Sequence, residues 1–415
     1  MQQASPVPLA NSDAVGHWLG DEAGSTARPL FVAITHDSPY DNVGGVQTCI
    51  RREEEACRAS GADYLVAFPT QFLPCLAPVD SDPALSVCLN GTLRGQCRTS
   101  VLVAAIGAAQ RGGRSLQIIL HQLLGHCVES VGALIEASGD DTCWLWLHDF
   151  FTICPSYTLR RNNAVFCGAP ELTSNSCSLC VHGEARQKHQ RRMQTFFDRY
   201  RVHVIAPSRS ALELWRERSG FAAVSEHVEP HIELTWRPRE RELEMDRAAP
   251  IRVAFLGATM DHKGWPHFQR LADRFNDGRE YEFLSFGLQP GSPTIRHRAV
   301  GSLASDSQDM IQALKTERVD VVIHWPTTHE TFSLTTYEAL QSGAYVITNT
   351  VSGNVAATVE QVGRGVVLTD ENDLANLFDS GRVVDLGLSA RQDRARLCVS
   401  ARMSELTLSV MKAAS

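Results

Sequence analysis

Residues 319–324, Val319-Asp320-Val321-Val322-Ile323-His324, lead through Trp325-Pro326-Thr327-Thr328 into His329-Glu330-Thr331-Phe332-Ser333-Leu334-Thr335-Thr336-Tyr337-Glu338. The first six form a short, β-branched apolar run, the pattern of a buried strand. Trp325-Pro326 stops it, and a helix is expected from about Leu334, with Gly343 just past its end as a stop signal. Glu330 then stands on the loop at the C-terminal end of a strand, where open α/β sheets bind ligands. The amides of Ser333, Leu334 and Thr335 form a helix N-terminus, which favours phosphate. Glu338 falls about one turn into the helix, near enough to accept hydrogen bonds from a ligand bound there. On spacing alone, the commoner explanation is a solvated loop glutamate and a helix glutamate that complements the dipole.

The same alternation of short strands and helices extends in both directions. Apolar runs at residues 251–257, 282–286, 344–348 and 365–368 accompany the 319–324 run, and others lie at 29–35, 64–68, 116–120, 143–147 and 202–206. Helical spacing between them argues for parallel βαβ units. A charge-dense stretch containing Arg237-Pro238-Arg239-Glu240-Arg241-Glu242 separates the two sets. The sequence therefore predicts a loose lead-in over 1–28, an N-terminal Rossmann-like domain over 29–228 and a linker over 229–250. A second Rossmann-like domain follows over 251–388, then a helical segment over 389–415 that packs back on either domain. Two doubly wound parallel-sheet domains of this kind are expected to face an interdomain cleft.

Composition narrows the class. A chain of 415 residues with 43% hydrophobic and 21% charged residues is an ordinary globular protein of two domains. The net charge of −8 argues against non-specific nucleic-acid binding. No apolar run approaches the roughly 18–20 residues that span a bilayer, and the first residues lack the pattern of a signal peptide. A cytoplasmic protein is expected. Twelve cysteines are many for that compartment, so a cluster is read as metal or core before disulfide.

The wording Glu330-x-Phe332-Ser333-Leu334-x3-Glu338-Ala339-Leu340-x2-Gly343-Ala344-x-Val346-Ile347 resembles the donor-site signature of family 4 retaining glycosyltransferases, which have the GT-B fold. The resemblance implies that Glu330 contacts sugar hydroxyls and Glu338 the ribose, with Phe332, Ser333 and Leu334 lining the donor. Phe255-Leu256-Gly257-Ala258-Thr259-Met260-Asp261-His262-Lys263-Gly264 resembles the strand and loop in which a lysine binds the donor diphosphate, the role this implies for Lys263. Many relatives carry arginine where this chain has Ala258; one phosphate-binding cation is therefore missing, or supplied from elsewhere, such as Arg252 or a first-domain residue. His36-Asp37-Ser38-Pro39-Tyr40-x3-Gly44-Gly45-Val46-Gln47 resembles the family's glycine-rich loop, in which Gly44 and Gly45 admit a diphosphate or acceptor. A plain tight turn is the alternative there, and for His36 a capping role is as well supported as an acceptor-side one.

Cys143-Trp144-Leu145-Trp146-Leu147-His148-Asp149 reads as a buried strand ending in His-Asp. A histidine here can simply bond a neighbouring strand; the resemblance implies instead an active-site role for His148 beside the donor sugar, with Asp149 orienting it or binding acceptor. The resemblance implies retention of configuration and metal-independent catalysis, with Lys263 and helix-end amides in the cation's place. The implied donor is a UDP- or GDP-sugar and the acceptor a glycan or lipid-linked oligosaccharide. An epimerase or hydrolase on the same fold, and a non-catalytic donor-binding subunit, are the competing functions.

Cys154, Cys167, Cys177 and Cys180 include one Cys-x-x-Cys and are a candidate structural zinc site, set against free thiols in a loop. Residues 182–201 carry Arg186, Lys188, His189, Arg191, Arg192 and Arg199 among Met193, Phe196 and Phe197. Such a helix suits peripheral contact with an anionic membrane, but more often it is a solvated face over a core stripe.

Overall fold

The computed structural model of the protein describes residues 8–20, 28–301 and 307–414. The chain divides into two compact units, one formed by residues 1–229 with 405–415 and the other by 230–404. Among the described residues no helix is long and apolar enough to cross a membrane.

The first unit contains β1 (Leu9–Ala10), α1 (Ser12–Gly20), β2 (Leu30–Ile34), α2 (Gly45–Ala59), β3 (Asp63–Pro69), β4 (Ala84–Leu89), β5 (Thr92–Arg98), α3 (Thr99–Arg111), β6 (Leu116–Leu120), α4 (Val128–Ala137) and β7 (Thr142–Trp146). It continues with β8 (Arg160–Arg161), β9 (Val165–Phe166), α5 (Asn175–Ser178), α6 (Gly183–Arg199), β10 (Arg201–Ala206), α7 (Arg209–Ser219) and β11 (Ser225–Val228). Nine strands form one sheet in the order β1-β5-β4-β3-β2-β6-β7-β10-β11. The five pairings that link β3, β2, β6, β7, β10 and β11 are parallel. Side chains alternate across it: Leu30, Val32 and Ile34 join one apolar cluster, Phe31 and Ala33 another. Both faces are covered, as a parallel sheet requires. The chain leaves β2 toward β3 on one side and returns to β6 on the other, so the loops after β2 and β6 flank a crevice at the point of reversal.

The second unit contains β12 (Ile232–Pro238), β13 (Ile251–Leu256), α8 (Trp265–Phe275), β14 (Tyr281–Gly287), β15 (Arg296–Ala299), α9 (Ser307–Thr316), β16 (Val321–Ile323), α10 (Leu334–Ser342), β17 (Tyr345–Asn349), α11 (Asn354–Val362), β18 (Gly365–Leu368), α12 (Glu371–Asp379), α13 (Arg382–Arg396) and β19 (Leu397–Met403). Its six-stranded sheet runs β15-β14-β13-β16-β17-β18 and is parallel throughout. Counted within the sheet this is the order 3-2-1-4-5-6 of the dinucleotide-binding fold, with its reversal between β13 and β16. Val253 and Phe255 face one core cluster, Ala254 and Leu256 the other.

Three expectations are corrected. The lead-in is not wholly loose: α1 buries Val15 and Leu19 in the core of the first unit, while residues 1–7 and 21–27 of that stretch lie outside the described residues. The segment read as a linker holds β12, which pairs antiparallel with β19 from Ile232↔Met403 to Pro238↔Leu397. That pairing also makes residues 397–403 a strand where helix was expected, because each strand supplies the backbone partner that the other's charged sequence conceals. Past β19, α14 (Thr407–Ala414) belongs to the first unit, where Leu406, Leu408 and Val410 pack with Cys49, Ile50 and Tyr64.

Candidate active site

In the second unit the loops after β13 and β16 meet at the sheet's reversal point. Ser333 caps α10 by accepting from the Thr336 N–H, and Gly343 closes the helix in the left-handed region at φ 88°. These two caps fix the helix so that its first amides open on the loop carrying Glu330. Glu330 is tied by its backbone to the loop after β17, donating to Ser352 O at 3.3 Å and accepting from Asn354 N–H at 2.9 Å. Its carboxylate Oε1 lies 2.8 Å from Lys263 Nζ, with side-chain exposures of 12% and 38%. Burial pushes the Glu330 carboxyl up, but Lys263, with His324 and His262, holds it below the ordinary glutamate value.

Lys263 reaches this position through a tight backbone crossing. Gly264, at φ 90°, passes so close to Trp325 that a Cβ would lie 2.2 Å from the Trp325 carbonyl oxygen. Thr327 N–H donates to His262 O at 2.9 Å and Asn349 Nδ2 to Pro326 O at 2.9 Å, so three strand-end loops form one rigid floor. Phe332 stacks on Tyr337 at 4.5 Å, and Glu338 is buried on the first turns of α10. His324, which the sequence reading used only as the strand's end, supports the cap: its Nδ1 lies 2.9 Å from Thr336 Oγ1, and burial pushes it down to about 4. Lys263, Glu330, Phe332, Ser333, Leu334 and Glu338 thus come from adjacent strand-end loops and one helix start. Arg252 does not replace the missing arginine. It sits near the start of β13, the opposite end from these loops, and its guanidinium is spent on Glu282 and the Glu317 carbonyl.

In the first unit Gly44 is the N-cap of α2, in extended backbone at φ 179°, and a Cβ at Gly45 would meet nothing within 4 Å. The glycine pair therefore starts a helix, and no left-handed turn demands it. His36, on the same loop, lies 3.5 Å from Asp37; burial lowers its basicity, with Asp37 opposing. Asp149 accepts from Gln122 Nε2 and, at 2.8 Å, from the Phe151 N–H, yet burial pushes its carboxyl up to about 7.

His148 stacks on Trp146 at a centroid distance of 5.3 Å, and its Nε2 lies 2.9 Å from Nδ1 of His121. His121 Nε2 lies 2.9 Å from Glu53 Oε2, and both side chains are fully buried. Sequence reading singled out neither. His121 carried a usable signal, since it follows β6 as His148 follows the adjacent β7. Glu53 carried none, standing in Arg51-Arg52-Glu53-Glu54-Glu55, which looks like a solvated helix face.

Cys154, Cys167, Cys177 and Cys180 all line one cavity, together with His182 and Arg186. Arg186 Nη1 donates to Cys177 Sγ at 2.9 Å and to Pro170 O at 2.6 Å, so this basic residue of α6 is turned inward. Burial pushes the Cys154 thiol up to about 12, with Arg186 opposing. All twelve cysteines are free of disulfides. Elsewhere on α6, His189, Met193, Phe196 and Phe197 form a buried stripe, and Arg192 is held by Glu129 at 2.6 Å. The chain contains one Asp-x-Asp triplet, Asp80-Ser81-Asp82. It belongs to the approach to β4, where Asp82 accepts from the Ser100 N–H at 2.9 Å and the Ser100 hydroxyl at 2.6 Å.

No protein-family model and no curated protein matches the sequence. Solved structures do match in fold. HepE from Anabaena, crystallised with UDP-glucose, aligns at a TM-score of 0.52 and 12% identity over 88% of this chain and 93% of that one. The same protein with UDP and glucose aligns at 0.51 and 11% identity over 92% and 98%. A glycosyltransferase from Rickettsia africae aligns at 0.52 and 10% identity over 88% and 93%. The fold of the chain is GT-B, built from two doubly wound α/β units.

Proposed function

We infer that the protein is a glycosyltransferase that moves a sugar, with retention of configuration, from a nucleoside-diphosphate sugar to a hydroxyl of a glycan or lipid-linked acceptor. The observation that carries this is the Lys263–Glu330 pair at 2.8 Å, set at the sheet's reversal point beside the open start of α10. A cation and helix-end amides suit a diphosphate, and a carboxylate within the same floor suits sugar hydroxyls. Ground-state binding alone would not speed transfer; the same groups act by stabilising the charge that grows on the departing diphosphate. Glu338 is assigned to the ribose and His148 to a substrate hydroxyl, on the strength of the motif resemblance. The ligands named for the fold neighbours, UDP-glucose and UDP, make a uridine nucleotide the first donor to try.

A structural zinc held by Cys154, Cys167, Cys177 and Cys180 is part of the proposal, supported by the four thiols lining one cavity, although no three of them converge within 4.8 Å as they stand. Contact of α6 with an anionic membrane remains part of the proposal through its exposed cations, Lys188 and Arg191 among them.

The test is incubation with UDP- and GDP-sugars and a panel of glycan acceptors, with the product's anomeric configuration read by NMR. Sugar released only to water or epimerised in place would replace the transferase reading. Donor binding without any turnover would favour a binding subunit.

A further inference from the structure

The second unit holds a cavity of about 390 Å³ at the C-terminal end of α10, the helix whose N-terminal end opens on Glu330. Its walls come from β12, β19, α9, α13 and the first residue of β17. The volume is that of an ordinary small-molecule site. Four cations and one carboxylate line it: Arg239, Lys315, Arg364, Arg394 and Asp393.

Two of these cations serve the fold. Arg394 reaches Asp320 at 2.6 Å and the Val319 carbonyl at 2.7 Å, while Arg364 reaches Asp393 at 3.1 Å. Asp320 is also held by Arg391 at 2.7 Å, so even this buried group keeps an excess of positive charge. The other two differ. Among the described residues, neither Arg239 nor Lys315 has a carboxylate partner. Arg239 donates only its Nε, to the Arg394 carbonyl at 3.1 Å, and Lys315 stands exposed on α9. Two unpaired cations in one cavity draw an anion to it, in a chain whose net charge is −8. The remaining lining is largely apolar: Leu243, Leu397 and Val399 accompany Trp236, over whose ring the Arg364 guanidinium lies at 4.6 Å. A phosphate monoester carries close to two negative charges on one head at neutral pH, which a single carboxylate does not.

We propose that this cavity is a second ligand site, taking a small organic phosphate monoester whose head meets Lys315 and Arg239 and whose body lies against Trp236. None of the donor-floor residues lines it, so the site stands independently of glycosyl transfer.

The test is calorimetric titration of the full chain with phenyl phosphate, which joins a dianionic head to an apolar ring and offers no nucleoside or sugar to the donor floor. Saturable binding is expected, with a Kd of about 1 mM or tighter. Lys315→Ala should weaken it by about fivefold or more, and Arg239→Lys should bind better than Arg239→Ala. Lys263→Met, which alters the donor floor, should leave the affinity within about twofold. Inorganic phosphate, which lacks the ring, should bind about tenfold more weakly or worse. Because the Lys315 ammonium holds nothing in the fold, Lys315→Ala should melt with the wild type, and its loss of binding is then a loss of the site. No saturation by about 10 mM would overturn the proposal. So would binding that Lys263→Met abolishes, or that Lys315→Ala leaves unchanged. Inorganic phosphate bound as tightly as phenyl phosphate would overturn the organic ligand class.

Discussion

Lys263 Nζ stands 2.8 Å from Oε1 of Glu330, so the cation assigned to the diphosphate is braced by the carboxylate assigned to the sugar. Their substitutions should therefore separate by ligand. Lys263→Met should weaken UDP and UDP-sugar alike, by about 1.5–3 kcal/mol, the range of a hydrogen bond to a charged group. Glu330→Gln should weaken the sugar-bearing ligand more than UDP, whose loss is confined to the loosening of Lys263. Calorimetric titration of both ligands against both variants checks this, and equal losses across all four would refute the division of roles.

The same pair predicts a pH dependence. Glu330 is held below its ordinary value in the folded state, so its contribution is present above the unfolded value of 4.5 and lost as pH falls through the folded value. Because Lys263 is more than a third exposed, the contribution should be about 1 kcal/mol or less. Urea unfolding of the wild type and Glu330→Gln between pH 3 and pH 7 should converge toward the acid end; a gap that widens there would contradict the pairing.

Asp149 predicts the opposite trend. Its carboxyl is raised from 3.8 to about 7, so the stability it supports is complete below pH 4 and is lost as pH rises toward 7. Asp149→Asn, which cannot ionise, should gain on the wild type by roughly 2–4 kcal/mol between pH 4 and pH 8. Chemical denaturation at the two pH values measures the gain directly, and no relative change would mean that the carboxyl is solvated.

Gly264→Ala should be among the costliest small substitutions in the second unit. The left-handed backbone and the 2.2 Å approach to Trp325 O leave no room for a methyl group. Strain of about 2–4 kcal/mol is expected, visible as a lower melting temperature, with donor affinity falling as Lys263 shifts. An unperturbed melt would show that the crossing relaxes freely.

The cysteine cavity predicts close to one equivalent of zinc in protein purified without added metal, lost in Cys177→Ser and Cys154→Ser. Elemental analysis decides it, and metal-free protein with full stability would leave these as core thiols.

The sequence disclosed the parts of this molecule whose signals are local. β16, the Ser333 cap and the Gly343 stop lie within 23 residues, and each obeys a short-range rule, so the strand, loop and helix start that carry Glu330 could be read almost residue by residue. The β4–β5 hairpin was equally open to reading, since Asn90 and Gly91, at φ 52° and 78°, form the turn that an Asn-Gly pair announces. β12 and β19 are different in kind. Their outward faces are charged, and only pairing across 165 residues between Thr235 and Ser400 makes them strands. Glu53 is the extreme case: nothing near it in sequence distinguishes it from the exposed Glu55, because its partners are 11, 68 and 354 residues away.

That last separation has a consequence for how the protein is made. Thr407 is synthesised 354 residues after Glu53, with the whole second unit between them. At 5–20 residues per second a ribosome takes roughly 20–70 s to cover that distance. Throughout that interval Glu53 lacks the two donors that Thr407 supplies, and the apolar face that Leu406, Leu408 and Val410 later cover stays open. The first unit, begun before the second, is thus completed after it, and the nascent chain carries an unfinished core past the emergence of the whole second unit.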